Sequence, residues 1–399
     1  MSSNHTSKRT AQAMQALQSV MDLFDNPVFM HRNEDPLACD FALGNPQEMP
    51  LSGYVTALQA SLPPQNKDWY AYKMSEAKAV VPLAQNLYQW RGVNYATEDI
   101  FLTNGAFAGL AVVLGAIVDP GDEVIFNSPP WFFYESMILA NGGIPMRVRV
   151  DSQTFDLDLH AIEAAITSRT RAIIVNSPNN PTGKIYPPET LRRLSELLEH
   201  AQRKYGSTIY LLSDESYSRI VYDNRRFVSP TQYYPNSFLI YTYGKTLLTP
   251  GQRIGYIALP PEMPDKEAVR QGIFISQLLT AYAFPNALLQ HALPELDKLS
   301  INIQHLQKKR DFMVGALQEM GYNLHSPEGT FYLLPRSPME DDIAFTNLLN
   351  EQKIFCLPGK IVEMPGYFRI SLTASDEMIQ RALPGFEIAI ERAREMRKN

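Results

Sequence analysis

Two cysteines, Cys39 and Cys356, are all that 399 residues contain. That number builds neither a disulfide framework nor a four-thiolate zinc site, so both are read as reduced thiols and no metal is expected. Charged residues interrupt every apolar run well before the roughly 20 residues needed to span a bilayer. The opening stretch MSSNHTSKRTAQAMQAL carries Lys8 and Arg9 but no apolar block and no cleavage site. We therefore expect no signal peptide, and a cytoplasmic protein. A basic excess is missing too: 36 Lys and Arg stand against 42 Asp and Glu, a formal charge of −6. Coating nucleic acid needs the opposite balance, and an anionic membrane offers this chain no attraction. G-x-G occurs nowhere, which removes the dinucleotide fingerprint and disfavours a nicotinamide dehydrogenase. Internal repeats and low-complexity tracts are lacking as well.

What is present is ordinary globular material, 45% hydrophobic and 20% charged. At roughly 150 residues per domain the length suits about two to three domains. Met14, Leu17, Met21 and Phe24 recur at helical steps, predicting an amphipathic helix over 11–24 that Asp25-Asn26-Pro27 stops. Its one-sided stripe is expected to pack on the chain's own small domain or on a partner subunit. Candidate strands then cover 100–103, 123–126, 146–150, 172–175, 209–212, 238–242 and 254–259, with helical stretches such as 107–117 and 189–205 between them. This alternation predicts an α/β fold: a large domain with a mostly parallel seven-stranded sheet flanked by helices. After about 288 the pattern changes to a long helix over 296–320, strands at 330–334 and 368–372, and a charged helix over 387–398. That is a smaller α+β unit. The expected division is 1–52 for an N-terminal arm and part of the small domain, 53–290 for the large domain, and 291–399 for the small C-terminal domain.

Four polar fragments sit beside predicted strands. Asn179-Asn180-Pro181-Thr182-Gly183 follows 173–175. Ser213-Asp214-Glu215-Ser216-Tyr217 follows 209–212. Tyr243-Gly244-Lys245-Thr246 follows 239–241, and Arg253 precedes 254–259. In parallel sheets that edge is where ligands bind. A carboxylate, an amide, a phenol, an amine and a guanidinium together suit an anionic ligand with a basic ring nitrogen and an electrophilic carbon.

In order and approximate spacing these fragments resemble the class I/II aminotransferases, fold-type-I enzymes dependent on pyridoxal 5′-phosphate. The resemblance runs from about Asp40 to Ala389. It implies that Lys245 forms the Schiff base with the cofactor and then serves as general base and acid. Asp214 is implied beneath the pyridine nitrogen, keeping it protonated so that the ring accepts electrons. The neighbouring Glu215 points to the other face of its strand. Tyr217 and Asn180 are implied at the cofactor's 3′-oxygen, and Trp131 against its ring, while Phe132 and Phe133 read as an apolar patch under a loop. The phosphate is expected at Gly105, Ala106 and Phe107, at a helix N-terminus, with Arg253 and Thr242; Gly244 replaces a second hydroxyl residue. Tyr72, preferred over Tyr70, is implied to reach the neighbouring subunit's phosphate in a homodimer with shared active sites. Gly44 and Asn180 are implied against the substrate, and Arg369 on its α-carboxylate.

The expected reaction is ping-pong transamination between an L-amino acid and a 2-oxo acid. The donor stays open. No second arginine suits a distal carboxylate, and 274–284 reads as neutral. His31 and Arg32 are either a solvated pair or a contact for an acidic side chain. A β-lyase using the same cofactor competes with this reading. A cofactor-sensing regulator competes less well, since it requires a DNA-binding domain that neither the short N-terminal arm nor the acidic charge favours.

Overall fold

A computed structural model describes residues 5–32 and 34–396. In it the β-rich runs of the middle of the chain form one sheet. Its strands are β1 (Ile100–Thr103), β2 (Glu123–Ser128), β3 (Ile144–Arg149), β4 (Thr170–Asn176), β5 (Tyr210–Asp214), β6 (Ser237–Thr242) and β7 (Gly255–Ala258). All seven expected strands are there, in spatial order β1-β7-β6-β5-β4-β2-β3. Strands β3, β2, β4, β5 and β6 are mutually parallel, whereas β7 runs against both β6 and β1. Every residue of β2 and of β6 is buried. Helices on both faces explain why these strands read as unbroken apolar runs rather than alternating ones.

Helix Gly105–Ile117 is apolar nearly all round and lies in the core against Ile240 and Ile257. On the other face the amphipathic helix Pro188–Tyr205 sets Leu191, Leu194 and Leu198 against Ile173 and Leu211.

The smaller unit holds β8 (Tyr332–Leu333), β9 (Ile354–Phe355), β10 (Leu357–Pro358) and β11 (Phe368–Ser371). Strands β10, β11 and β8 form an antiparallel sheet, while Cys39–Asp40 pairs in parallel with β9. The N-terminal segment therefore joins the C-terminal unit, whose core includes Tyr322, Phe331, Phe345, Phe368 and Phe386. Both cysteines are buried free thiols in that core.

Three expected helices differ. The expected helix over 296–320 is broken: Leu296 closes one helix, Ala287–Leu296, and a second, Ile303–Met320, starts only after 297–302. Asp297 ends the first and is tied down by Arg219, Tyr243 and Asn86; Asn302 caps the second by accepting from the His305 N–H at 2.9 Å. The helix over 11–24 is likewise two, Lys8–Ala16 and Gln18–Phe24, divided at Leu17. Asp25-Asn26-Pro27 stops the helix there, yet Asn26 at once caps another turn, Pro27–Met30. The C-terminal helix begins at Asp376, earlier than expected, and is described to Met396; the expected 397–398 lie outside the described residues.

The N-terminal helices pack on both units. Lys8–Ala16 lies on helix Tyr134–Ala140, while Val20 joins Leu357, Ile361 and Val362. Among the described residues no helix is long and apolar enough to cross a membrane.

Candidate active site

The C-terminal ends of β4, β5 and β6, the start of helix Gly105–Ile117 and Arg253, two residues before β7, meet the small unit around a cavity of about 420 Å³. Ten of the residues singled out in the sequence line it: Gly44, Ala106, Phe107, Trp131, Asn180, Asp214, Tyr217, Thr242, Lys245 and Arg253; Arg369 is the eleventh. Gly105 sits just behind them at the helix start.

Asp214 is the last residue of β5 and is buried. Its Oδ1 accepts from the Ser216 N–H at 3.1 Å and the Ser216 hydroxyl at 2.6 Å; its Oδ2 accepts from the Tyr134 hydroxyl at 2.6 Å. Charge-assisted bonds of this kind fix a carboxylate in direction. Burial, then the charge of Asp214, holds the Tyr134 phenol well above its ordinary pKa, so it remains a donor. Glu215 turns the other way, as strand geometry requires, into a buried ion pair with Arg91 at 2.6 Å.

Lys245 stands in the single-turn helix Tyr243–Thr246 that follows β6. Its Nζ lies 5.7 Å from the centre of the Tyr217 ring and 5.8 Å from that of Phe331. Among the described residues no carboxylate lies within ion-pair distance of it.

Gly105 opens its helix at φ +82, a conformation L side chains rarely adopt. A Cβ there would stand 3.0 Å from Arg253 Nη2 and 3.2 Å from Thr242 Oγ1. A guanidinium, a hydroxyl and a helix N-terminus thus share one small space that any larger residue would fill, a set suited to an oxyanion. Arg253 is braced by donating from Nη1 to the Pro250 carbonyl at 2.6 Å.

Across the cavity Arg369, on β11, is 2% exposed. It donates to Asn180 Oδ1 at 3.0 Å and to the Ala42 carbonyl at 2.8 Å, and its guanidinium lies 4.1 Å from the centre of the Tyr332 ring. The Tyr217 hydroxyl donates to that of Tyr332 at 3.4 Å. Burial pushes the Tyr217 phenol well up. Burial acts on Tyr332 too, but Arg369 and Lys245 beside it more than reverse the effect and bring it below its ordinary value. A Cβ on Gly44 would meet Tyr332 Oη at 2.7 Å, so only glycine leaves this corner open.

Some residues stand elsewhere. Tyr72 is 88% exposed, lies against Phe284 and does not line this chain's cavity. His31 pairs at the surface with Glu34 at 2.8 Å. Arg32 is not half of a solvated pair: it is buried against Asp40 at 2.9 Å, and Asp40 in turn accepts from the Ala42 N–H, fixing the loop that leads to Gly44. Neither lines the cavity.

Other lining residues, among them Leu43, Asn176 and Tyr332, went unnoticed in the sequence, and Ser216 carried no role there; Phe132 and Phe133, read as a patch under a loop, line it as well. Tyr134, three residues after Trp131, likewise has no role legible in the sequence. A further group spans the two units: Glu363 accepts from the Ser128 hydroxyl and from Arg147 Nε, both at 2.8 Å, and Arg147 also pairs with Glu135 at 2.6 Å.

Comparisons with known proteins agree with this geometry. The aminotransferase class I and II family matches residues 75–386. The aspartate/prephenate aminotransferase of Thermus thermophilus is 31% identical over 340 residues, covering 82% of this chain and 85% of that protein. A probable aspartate/prephenate aminotransferase of Aquifex aeolicus is 30% identical over 322 residues, 77% of this chain and 80% of that one. Among solved structures, an aminotransferase of Eubacterium rectale superposes with a TM-score of 0.85 at 27% identity, over 98% of this chain and 96% of the other. The Thermus thermophilus aspartate aminotransferase with maleate superposes with a TM-score of 0.79 at 25% identity, over 97% and 100%. The chain belongs to the class I and II aminotransferases, enzymes that use pyridoxal phosphate.

Proposed function

We propose that Lys245 is the residue through which this aminotransferase holds its cofactor and moves the substrate proton. The observation that carries the reading is the meeting of Asp214, Lys245 and the Gly105–Thr242–Arg253 cradle in one cavity. The donor set fits the group: a fixed carboxylate for a ring nitrogen, an amine for an aldehyde carbon, and cationic and hydroxyl donors at a helix N-terminus for a phosphate. When bound, pyridoxal phosphate supplies an aldehyde that exchanges its oxygen for the donor's amino group and a protonated ring that withdraws electrons, so that an amino acid leaves as a 2-oxo acid and a second 2-oxo acid reverses the exchange.

Each residue then has a task. Asp214, aimed by Tyr134 and Ser216, keeps the ring nitrogen protonated. Tyr217 and Asn180 hold the 3′-oxygen, and Trp131 covers the ring face. Arg253, Thr242 and the N–H groups of Ala106 and Phe107 hold the phosphate. Arg369, with Asn180 and Gly44 beside it, takes the α-carboxylate and sets Cα within reach of the lysine. Lys245 Nζ, freed by the incoming amine, would take the proton from Cα and deliver it to the former aldehyde carbon of the cofactor. Tyr72, facing away from this chain's cavity, serves the phosphate of a second subunit in a cytoplasmic homodimer. The pairing of Cys39–Asp40 with β9 supports a small domain drawn from 1–52 and 291–399, around a large domain of 53–290.

Lys245→Ala is expected to abolish turnover and the visible absorbance band of the lysine-bound cofactor. A variant that kept both would remove Lys245 from this role.

A further inference from the structure

Once those roles are assigned, the remaining wall of the cavity decides what kind of amino acid fits. Three cations line the cavity: Lys245, Arg253 and Arg369. The reading above uses all three, for the aldehyde, the phosphate and the α-carboxylate. Nearby cations are committed elsewhere. Arg32 is held by Asp40 and the Phe29 carbonyl, His31 stands at the surface with Glu34, and Arg147 is tied to Glu363 and Glu135. Among the described residues of this chain, a carboxylate at the far end of a substrate meets no free counter-charge. An ion left unpaired in such surroundings is costly.

The wall is apolar instead. Leu43, Phe107, Phe132 and Phe133 line it, with the Phe132 and Phe133 rings 4.7 Å apart and Phe133 5.1 Å from Phe107. Phe132 packs against the apolar cluster of Val20, Leu357, Ile361 and Val362, on which Leu17, Leu23 and Phe24 of the N-terminal segment also pack. This side of the cavity is therefore continuous with an apolar cluster, and the N-terminal segment supports it.

We propose, on the footing of the aminotransferase reading, that the amino donor is an L-amino acid with a large uncharged apolar side chain, aromatic or branched aliphatic, received by Leu43, Phe132 and Phe133. Phe132 is the residue that sets the preference. The relatives named for aspartate share under a third of their residues with this chain, and the wall described here gives a second carboxylate nothing to pair with.

Two measurements on the holoenzyme test it. In the first, single amino acids convert the visible band of the bound cofactor in the half-reaction. Phenylalanine and leucine are expected to exceed aspartate and glutamate in kcat/KM by roughly 100-fold. In the second, unreactive carboxylates are titrated against the same band. Phenylpropanoate is expected to bind at least about tenfold more tightly than succinate, because each offers Arg369 one carboxylate and only succinate brings another. Phe132→Arg should narrow both ratios by about tenfold or more, and Phe132→Leu should keep their direction. Aspartate outrunning phenylalanine, as a cation brought by a second subunit would cause, overturns the proposal and leaves the aminotransferase reading standing. So does succinate binding as tightly as phenylpropanoate. Failure of every amino acid to convert the band, with phenylpropanoate still preferred, overturns the aminotransferase reading while the apolar wall stands. If Phe132→Arg does not fold, the two wild-type ratios decide alone.

Discussion

Replacing Tyr134 by Phe removes one oxygen atom and leaves the ring in place. The ring packs edge-on against Trp131, with centroids 5.5 Å apart, and near Phe126, and neither contact depends on the hydroxyl. What disappears is the 2.6 Å bond from Tyr134 to Asp214 Oδ2. A hydrogen bond to a charged group is worth about 1.5–3 kcal/mol. Asp214 keeps both bonds from Ser216 on Oδ1, so the carboxylate stays in place but its outer oxygen loses its protein donor. The loss weakens the carboxylate's hold on a protonated ring nitrogen accordingly. Cofactor affinity should fall roughly 10- to 150-fold, and kcat should fall with it, since the same proton makes the ring an electron sink. Titration of the apoenzyme with pyridoxal phosphate, followed at the visible band across pH, reads both effects. A merely structural tyrosine would lower melting temperature and leave the pH dependence of the band unchanged. Unaltered cofactor affinity and an unaltered pH profile in Tyr134→Phe would refute the idea that this phenol aims Asp214.

Three further outcomes follow from the geometry. Gly44→Ala places a methyl group 2.7 Å from Tyr332 Oη, so substrate KM should rise about tenfold or more while cofactor affinity is kept; steady-state kinetics and cofactor titration separate the two. Glu363 joins Ser128 to Arg147 across the two units, and a Ser128→Ala/Glu363→Gln cycle in urea should give a coupling of about 0.5–1.5 kcal/mol, with zero coupling meaning that the contact holds nothing. Burial holds the Asp342 carboxyl above its ordinary range, against the N–H groups of Lys360 and Gly366 that it accepts. Its folded-state pKa lies above the unfolded one, so its contribution is complete below the unfolded value and is lost as pH rises through the folded value. The stability of wild type relative to Asp342→Asn should therefore fall on going from about pH 4 to 7 by chemical denaturation, and a rise would contradict the burial argument.

The large sheet was legible because its strands are short, β-branched and aromatic, and buried on both sides. Ile173-Ile174-Val175 or Phe238-Leu239-Ile240 reads as a strand without help from the rest of the chain. The helix over 296–320 misled because apolar periodicity runs on through a segment that tertiary contacts break; nothing local announces that Arg219 and Tyr243 will hold Asp297. The site divides in the same way. Asp214, Lys245 and Arg253 sit in motifs whose spacing a sequence displays. Tyr134, Ser216 and Tyr332 act through bonds to residues on other elements, or to a neighbour two positions away, and no spacing rule points to them. Arg32 shows the reverse: beside His31 it invites a contact with an acidic side chain, until its buried partner Asp40 is seen.

The reversed direction of β7 has a mechanical consequence. Thr242 ends β6 and faces Gly255 at the start of β7, so Lys245 and Arg253 both lie in the segment 243–254 that closes a single hairpin. Their separation is set by one ladder of backbone hydrogen bonds and by the turn that closes it. The arginine opposite, Arg369, is carried by β11 in a different sheet. Tilting one sheet against the other would move Arg369 relative to the cavity's opposite wall while Lys245 and Arg253 kept their spacing, like a vice with one fixed jaw and one moving jaw.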